Sequence, residues 1–307
     1  MVALKPLIIT PGDPDGIGPE VTAKALARLP KSFLDSRQIT IVGASRPFAK
    51  LKISKRFSFI EAPENSNPGA QAGWSIETAA NLILAGEGRA LITGPIHKAR
   101  LQAGGYKFSG HTDFLAALAK VPEVTMMLAN DKLRASLVTT HLALNDVSSH
   151  ITARSLERAT SQTFKFLTEG FKISQPRIAL CSLNPHAGEE GLFGQEERLT
   201  IAPFISNWNA MNPTLSVFGP FPSDTFFALN QASKKPYDAV IAMYHDQGLI
   251  PVKLLDFPHT VNITLGLPFV RTSVDHGTAF DIAGKGIADH RSMLAAIRWA
   301  DRLSKGN

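Results

Sequence analysis

One pattern repeats along this chain and limits what it can fold into. A short apolar run gives way to a loop rich in Gly, Pro or His, and a helical pattern follows. Leu7–Thr10 runs into Pro11-Gly12-Asp13-Pro14-Asp15-Gly16-Ile17-Gly18, Ile39–Val42 ends at Gly43, and Ala90–Thr93 ends in Gly94-Pro95. Ala135–Thr140 leads to His141, Arg177–Leu183 to Asn184-Pro185-His186, and Ala239–Tyr244 to His245. Short apolar runs bounded by turn residues suit strands buried on both faces. Helices are expected between them. Pro19 suits a first helical position, Val21, Ala25 and Leu29 share a face, and Pro30 stops the helix. Thr78–Leu84 also looks helical, and Leu156, Ala159, Phe164 and Leu167 share a face. Alternating strands and helices predict an α/β fold with a largely parallel sheet. At 307 residues the chain is long for one core, so one large domain or two lobes are expected.

Composition removes several classes of function. The single cysteine, Cys181, forbids an internal disulfide and suits a reducing cytoplasm. The apolar run before Pro11-Gly12 is too short for a signal peptide, and nothing approaches the ~18 apolar residues of a membrane span. A cytoplasmic protein with no membrane partner is expected. The net charge of +6 comes without a run of five basic residues. Lys52, Lys55 and Arg56, and the pair Lys234 and Lys235, are expected on surface loops. Without zinc-finger spacing or a basic helix, no nucleic-acid partner is expected. The loop after the first strand, Gly12-x-x-x-Gly16-x-Gly18, is not the Gly-x-Gly-x-x-Gly dinucleotide fingerprint. P-loop, His-Glu-x-x-His and Gly-x-Ser-x-Gly motifs are absent too.

Chemistry concentrates where strands end, the usual ligand side of an open parallel sheet. His141, His186 and His245 each follow a predicted strand, although 45 and 59 residues separate them. Three neutral imidazoles brought to one point suit zinc or a similar ion with a position left for substrate. Taken singly, each histidine reads better as a hydrogen-bonded loop residue. Ser109-Gly110-His111-Thr112-Asp113 opens a helix whose first N–H groups could hold an anion, or Ser109 or Thr112 could simply cap it. Lys253, Asn262 and Arg271 follow at nine-residue intervals, and Lys and Arg near a metal would neutralise phosphate or carboxylate. Gly284-Lys285-Gly286 and Asp275-His276-Gly277-Thr278 allow either turns or close backbone approach to a cofactor.

Nine blocks, in order, carry a resemblance: Ile9–Glu20, Gly94–Ala99, Gly110–Ala116, Thr140–Leu144, Leu183–Glu189, Gly219–Thr225, Tyr244–Leu249, Val261–Pro268 and Arg271–Ala279. Together they resemble the 4-hydroxythreonine-4-phosphate dehydrogenase family of pyridoxal phosphate biosynthesis. The resemblance implies a fold similar to the isocitrate and isopropylmalate dehydrogenases, with two α/β/α lobes and a cleft between them. Residues 1–125 with 270–307 would form the first lobe, and 126–269 the second, which would carry the metal ligands and dimer contacts. It implies NAD (or NADP) bound without the usual fingerprint, and a homodimer whose active site the second subunit completes. It further implies a divalent metal on His141, His186 and His245, zinc before magnesium or cobalt. His111, Thr112, Lys253, Asn262 and Arg271 would bind substrate. Lys253, Asp246 or a hydroxide on the metal would serve as base. The implied reaction oxidises 4-phosphohydroxy-L-threonine at its C3 hydroxyl and then decarboxylates it to 3-amino-2-oxopropyl phosphate. Related substrates, 4-phosphoerythronate and 4-phosphothreonate, are the first alternative, and a non-catalytic metal- or phosphate-binding module is the weaker one.

Overall fold

A computed structural model describes residues 4–45, 48, 57–63 and 66–305. The expected basic cluster Lys52, Lys55 and Arg56 lies outside the described residues. In chain order the strands are β1 (Leu7–Thr10), β2 (Ile39–Val42), β3 (Phe57–Ile60), β4 (Ala90–Thr93), β5 (Thr125–Ala129), β6 (Arg134–Leu137), β7 (Ile178–Cys181), β8 (Val217–Phe221), β9 (Ala239–Ala242), β10 (Val261–Leu265) and β11 (Val270–Ser273). The helices are α1 (Gly18–Arg28), α2 (Lys31–Ser36), α3 (Pro68–Leu84), α4 (Lys98–Ala103), α5 (His111–Leu118), α6 (Val147–His150), α7 (Ala153–Lys165), α8 (Ala202–Met211), α9 (Ser223–Ala232), α10 (His245–Asp256) and α11 (Arg291–Leu303). Among the described residues no helix is long and apolar enough to cross a membrane.

The chain divides into two compact units, residues 1–122 with 261–307, and residues 123–260. In the first, the strands run in the order β3-β2-β1-β4-β11-β10. They are parallel except β10, which runs antiparallel to β11. This pairing explains why the chain returns to the first unit at Val261, nine residues before the boundary expected from sequence. Val261–Leu265 belongs with its hairpin partner β11, and β11 lies beside β4. Every residue of β1 and β4 is buried, as continuous apolar runs covered on both faces require.

Two glycines hide a helix from sequence reading. α3 begins at Pro68, ten residues before the expected Thr78, with the Asn67 side chain accepting the Ala70 N–H. Gly69 and Gly73 lower its local propensity. They are needed because a Cβ on Gly69 would sit 1.8 Å from the Arg100 carbonyl oxygen, and one on Gly73 would meet the Tyr106 ring. α11 packs on the same unit through a buried ion cluster, in which Arg89 and Arg37 both reach Asp301, at 2.6 and 2.7 Å.

In the second unit the order is β5-β6-β9-β7-β8, parallel except for β5 against β6. β6 and β7 thus flank β9, so the three strands that precede the histidines are neighbours. α7 covers this sheet. Thr152 and Ser155 form its capping box, and Leu156, Ala159, Phe164 and Leu167 are all buried, as their spacing predicts.

Candidate active site

The loops after β1 and β4 show what the glycines there do. A Cβ on Gly12 would lie 2.1 Å from the Pro95 carbonyl oxygen, and one on Gly94 would lie 2.1 Å from that of Pro11. The Asp13 N–H donates to Pro95 and that of Gly94 to Thr10, closing the two loops on each other. Glycine here admits a neighbouring loop rather than a pyrophosphate, which accounts for the missing fingerprint. Room lies further along: Gly277, Gly284 and Gly286 have nothing within 4 Å of a built Cβ. Glu20 holds the end of that segment by accepting the N–H groups of Gly286 and Ala288.

Arg271 sits on β11 and is 3% exposed. Its Nε and Nη2 donate to Thr93 Oγ1 at 3.2 and 2.6 Å, and its Nη1 donates to Thr264 Oγ1 at 2.9 Å. Burial pushes its pKa down to about 9, which leaves it charged at neutral pH. Among the described residues no carboxylate pairs with it. A buried cation answered only by hydroxyls lacks its counter-charge, a costly arrangement unless an anion arrives.

His111 opens α5 nearby. Burial, then the Arg271 charge, holds its pKa well below the usual histidine value, so the ring is neutral. Its Nε2 is buried without a partner. Gly110 precedes it in extended conformation, and no side chain caps the helix. The expected cap by Ser109 or Thr112 is therefore not made. Instead Asp113 reaches back to the Ser109 N–H, and the first turn keeps donors available. Thr112 is exposed, and Asn262 is half-buried on β10, opposite Ser273. Lys253 belongs to the other unit, in the last turn of α10, with its Nζ 5.6 Å from the centre of the Phe257 ring.

In the second unit, Thr139 joins the ends of β6 and β9. Its N–H and its hydroxyl both donate to the Met243 carbonyl, at 3.1 and 2.7 Å. The rings of His141 and His245 are brought to 5.8 Å between centroids. His245 Nδ1 lies 2.7 Å from the Asp246 carboxylate, which leaves Nε2 free for a ligand. Gln247 fixes this turn to its neighbours. It accepts the Met243 N–H at 2.6 Å and donates to the Ser182 carbonyl at 2.6 Å and the Ser223 hydroxyl at 2.8 Å.

His186 does not join the pair. It lies on a left-handed turn, with φ between +42° and +79° from His186 through Glu190, and its ring is 6.3 Å from that of Phe193. Four of these residues are not glycine, and each costs roughly 1–2 kcal/mol to hold there. Among the described residues, no three His, Cys, Asp or Glu side chains of one chain form a group able to hold a metal. The equivalent sequence positions of the three histidines thus become two neighbours and one outlier. The pair still fits a borderline metal ion: two neutral nitrogens, one oriented by a carboxylate, with further ligands required to complete a tetrahedron.

Sequence reasoning passed over Thr139, Gln247 and Glu197. Gln247 lies inside one of the resembling blocks. Glu197 is 5% exposed, and Gly-Gln-Glu-Glu-Arg gives no sign that one of its acids is buried.

These features define a two-unit α/β enzyme with one polar cluster poised for an anion and another rich in imidazole. The chain belongs to the family described as pyridoxal phosphate biosynthetic protein PdxA, whose profile matches residues 18–300. It is similar to the 4-hydroxythreonine-4-phosphate dehydrogenase of Thermosynechococcus vestitus, 40% identical and covering 98% of this chain and 97% of the relative. A relative from Bradyrhizobium diazoefficiens, provisionally named a D-threonate 4-phosphate dehydrogenase, is 41% identical over 98% of this chain and 97% of its own. The crystal structure of 4-hydroxythreonine-4-phosphate dehydrogenase from Klebsiella pneumoniae matches with a TM-score of 0.85 and 36% identity, covering 98% of this chain and all of that one. Isocitrate dehydrogenase from Methylococcus capsulatus, at a TM-score of 0.52 and 15% identity over 98% of this chain and 88% of its own, shares the fold. The family is one of oxidoreductases, and a dehydrogenase implies a nicotinamide cofactor.

Proposed function

We propose that this chain oxidises 4-phosphohydroxy-L-threonine at its C3 hydroxyl and releases carbon dioxide to give 3-amino-2-oxopropyl phosphate, a step in pyridoxal 5'-phosphate biosynthesis. Arg271 carries this reading: a buried guanidinium bonded only to Thr93 and Thr264 calls for an anionic ligand. His111, with an unpartnered Nε2, and the uncapped first turn of α5 add donors to the same anion, and Thr112 and Asn262 extend the set. When bound, the nicotinamide accepts the C3 hydride and a divalent metal, zinc foremost, supplies a Lewis acid. His141 and His245 hold that metal. Asp246 is engaged by His245 and orients it, so Lys253 takes the hydroxyl proton.

A homodimer supplies what one chain lacks. Among the described residues, 11 of the 14 exposed large hydrophobics belong to residues 123–260. Leu142 and Leu144 follow His141, Leu192 and Phe193 follow His186, and Ile250 and Leu254 share α10 with His245. Exposed apolar groups of this density mark a protein interface. A second copy covering them brings its own His186 to the His141–His245 pair. With Cys181 buried and reduced, the cytoplasm is the compartment.

The similarity to a D-threonate 4-phosphate dehydrogenase favours 4-phosphothreonate as the second reading, with 4-phosphoerythronate behind it. NADH release from the three acids, with and without zinc, magnesium and cobalt, decides among them. The highest kcat/KM is expected for 4-phosphohydroxy-L-threonine. Preference for another acid replaces the substrate, and metal binding without NADH from any of them leaves only a binding module.

A further inference from the structure

The left-handed turn that carries His186 lies mostly outside the core, with only Gly188 buried. His186, Glu189 and Glu190 are exposed, so the turn adds little to the core. A buried carboxylate anchors the two residues, Leu183 and Asn184, that lead into it. Glu197 Oε1 accepts the N–H groups of Leu183 and Asn184 at 2.7 and 2.8 Å, and its Oε2 accepts Asn184 Nδ2 at 2.9 Å. Among the described residues no cation pairs with Glu197, so its charge is answered by these neutral donors alone. Gly188, inside the turn, rests against the same group: a Cβ there would lie 2.7 Å from Oε2. Asn184 also donates to Glu196 at 2.8 Å, and Glu196 in turn accepts the hydroxyl of Ser148, in the segment that follows His141. One acidic pair therefore fastens the approach to His186 and reaches toward the His141 segment.

We propose that Glu197 is a positioning residue whose carboxylate sets the left-handed turn and so aims the His186 imidazole as a metal ligand. The inference rests on the reading of His186 as a ligand. Strain in an exposed turn, maintained by a buried charge, has one local consequence, which is a fixed direction for the His186 side chain. Two oxygens serve three donors, and an amide in place of the carboxylate would leave at least one unanswered.

The test uses the 307-residue protein as wild type, Glu197→Gln, Gly188→Ala and His186→Ala. Zinc affinity is measured by chelator competition, the visible spectrum is recorded on the cobalt-loaded protein, and melting is recorded without metal. Glu197→Gln is expected to weaken zinc binding about 10- to 100-fold and to alter the cobalt spectrum. Saturating zinc should restore most of kcat without a change in substrate KM. Gly188→Ala should act in the same direction, because it crowds the carboxylate without removing it, and it decides the matter if Glu197→Gln does not fold. Wild-type zinc affinity and spectrum in the folded variants, with only the melting temperature lowered, would make Glu197 a structural staple and overturn the proposal. In that case His186→Ala would still lose zinc. If His186→Ala binds zinc as tightly as wild type, the ligand reading falls and takes this inference with it.

Discussion

The two polar clusters solve opposite problems. Around Arg271 and His111 the polar atoms are buried and short of partners: a guanidinium bonded to hydroxyls, and an imidazole nitrogen, on a half-buried ring, bonded to nothing. Around His141 and His245 the groups are exposed or half-buried and supported from behind by Asp246, Thr139 and Gln247, with His186 exposed on its own turn. Burial with missing partners stores a demand for a charged ligand. Exposure with support from behind is the arrangement that the proposed metal site needs. The same open α/β architecture thus carries one cluster short of polar partners and one whose imidazoles are held by neighbouring side chains.

The largest effect should come from the exposed cluster. His245→Ala or His141→Ala is expected to lower kcat by about a thousandfold or more, since a Lewis acid at a developing alkoxide contributes several kcal/mol. Bound zinc should be lost in parallel, measured by metal analysis of the dialysed protein. Wild-type turnover in metal-free protein would break the contrast, because the exposed imidazoles would then have no ion to meet.

Arg271→Met tests the buried cluster, and its two readouts should move apart. The change removes charge-assisted bonds to an anion, at about 1.5–3 kcal/mol each, so kcat/KM should fall by roughly 100- to 1,000-fold with zinc retained. Without ligand, the variant should melt at or a few degrees above wild type, because an unpaired buried charge has been replaced by an apolar chain. Inorganic phosphate should raise the wild-type melting temperature and leave the variant unmoved. A large loss of stability with unchanged kinetics would make Arg271 a core residue instead. Asp246→Asn should act more gently on the exposed cluster, lowering zinc affinity about tenfold through His245 orientation. An unchanged affinity would return Asp246 to the role of candidate base.

How much of this was legible depends on whether a signal was local. Strand runs such as Leu7–Thr10 and Ala239–Ala242 announce themselves through continuous apolarity, and the parallel α/β class follows. The helix Pro68–Leu84 was half hidden, because Gly69 and Gly73 are there for Arg100 and Tyr106, residues about 30 positions away. His141, His186 and His245 stood at comparable strand ends, yet only two meet. His186 stands on a left-handed turn of mostly ordinary residues, and propensity has no rule for it. Arg271 was visible as a basic residue, but its burial depends on β4 and β10 flanking β11, a pairing no local window contains.

The smallest expected effect separates the clusters by acidity. His111 is held neutral when folded, chiefly by burial, with a pKa well below the usual value. The unfolded chain protonates it near pH 6.5. Below that pH the unfolded state binds the extra proton, so stability rises with pH up to about 6.5 and is lost as the solution becomes more acidic. One proton sets the steepest slope at about 1.4 kcal/mol per pH unit. Denaturant unfolding between pH 7 and 5 should therefore show a shallower acid loss in His111→Gln than in wild type. Phosphate should reduce the wild-type loss as well, because an anion beside Arg271 offsets the charge that disfavours a protonated His111 and lets the folded state share the proton. Parallel curves for the two proteins would mean that His111 meets water when folded, and the buried cluster would lose the dryness that distinguishes it from the exposed one.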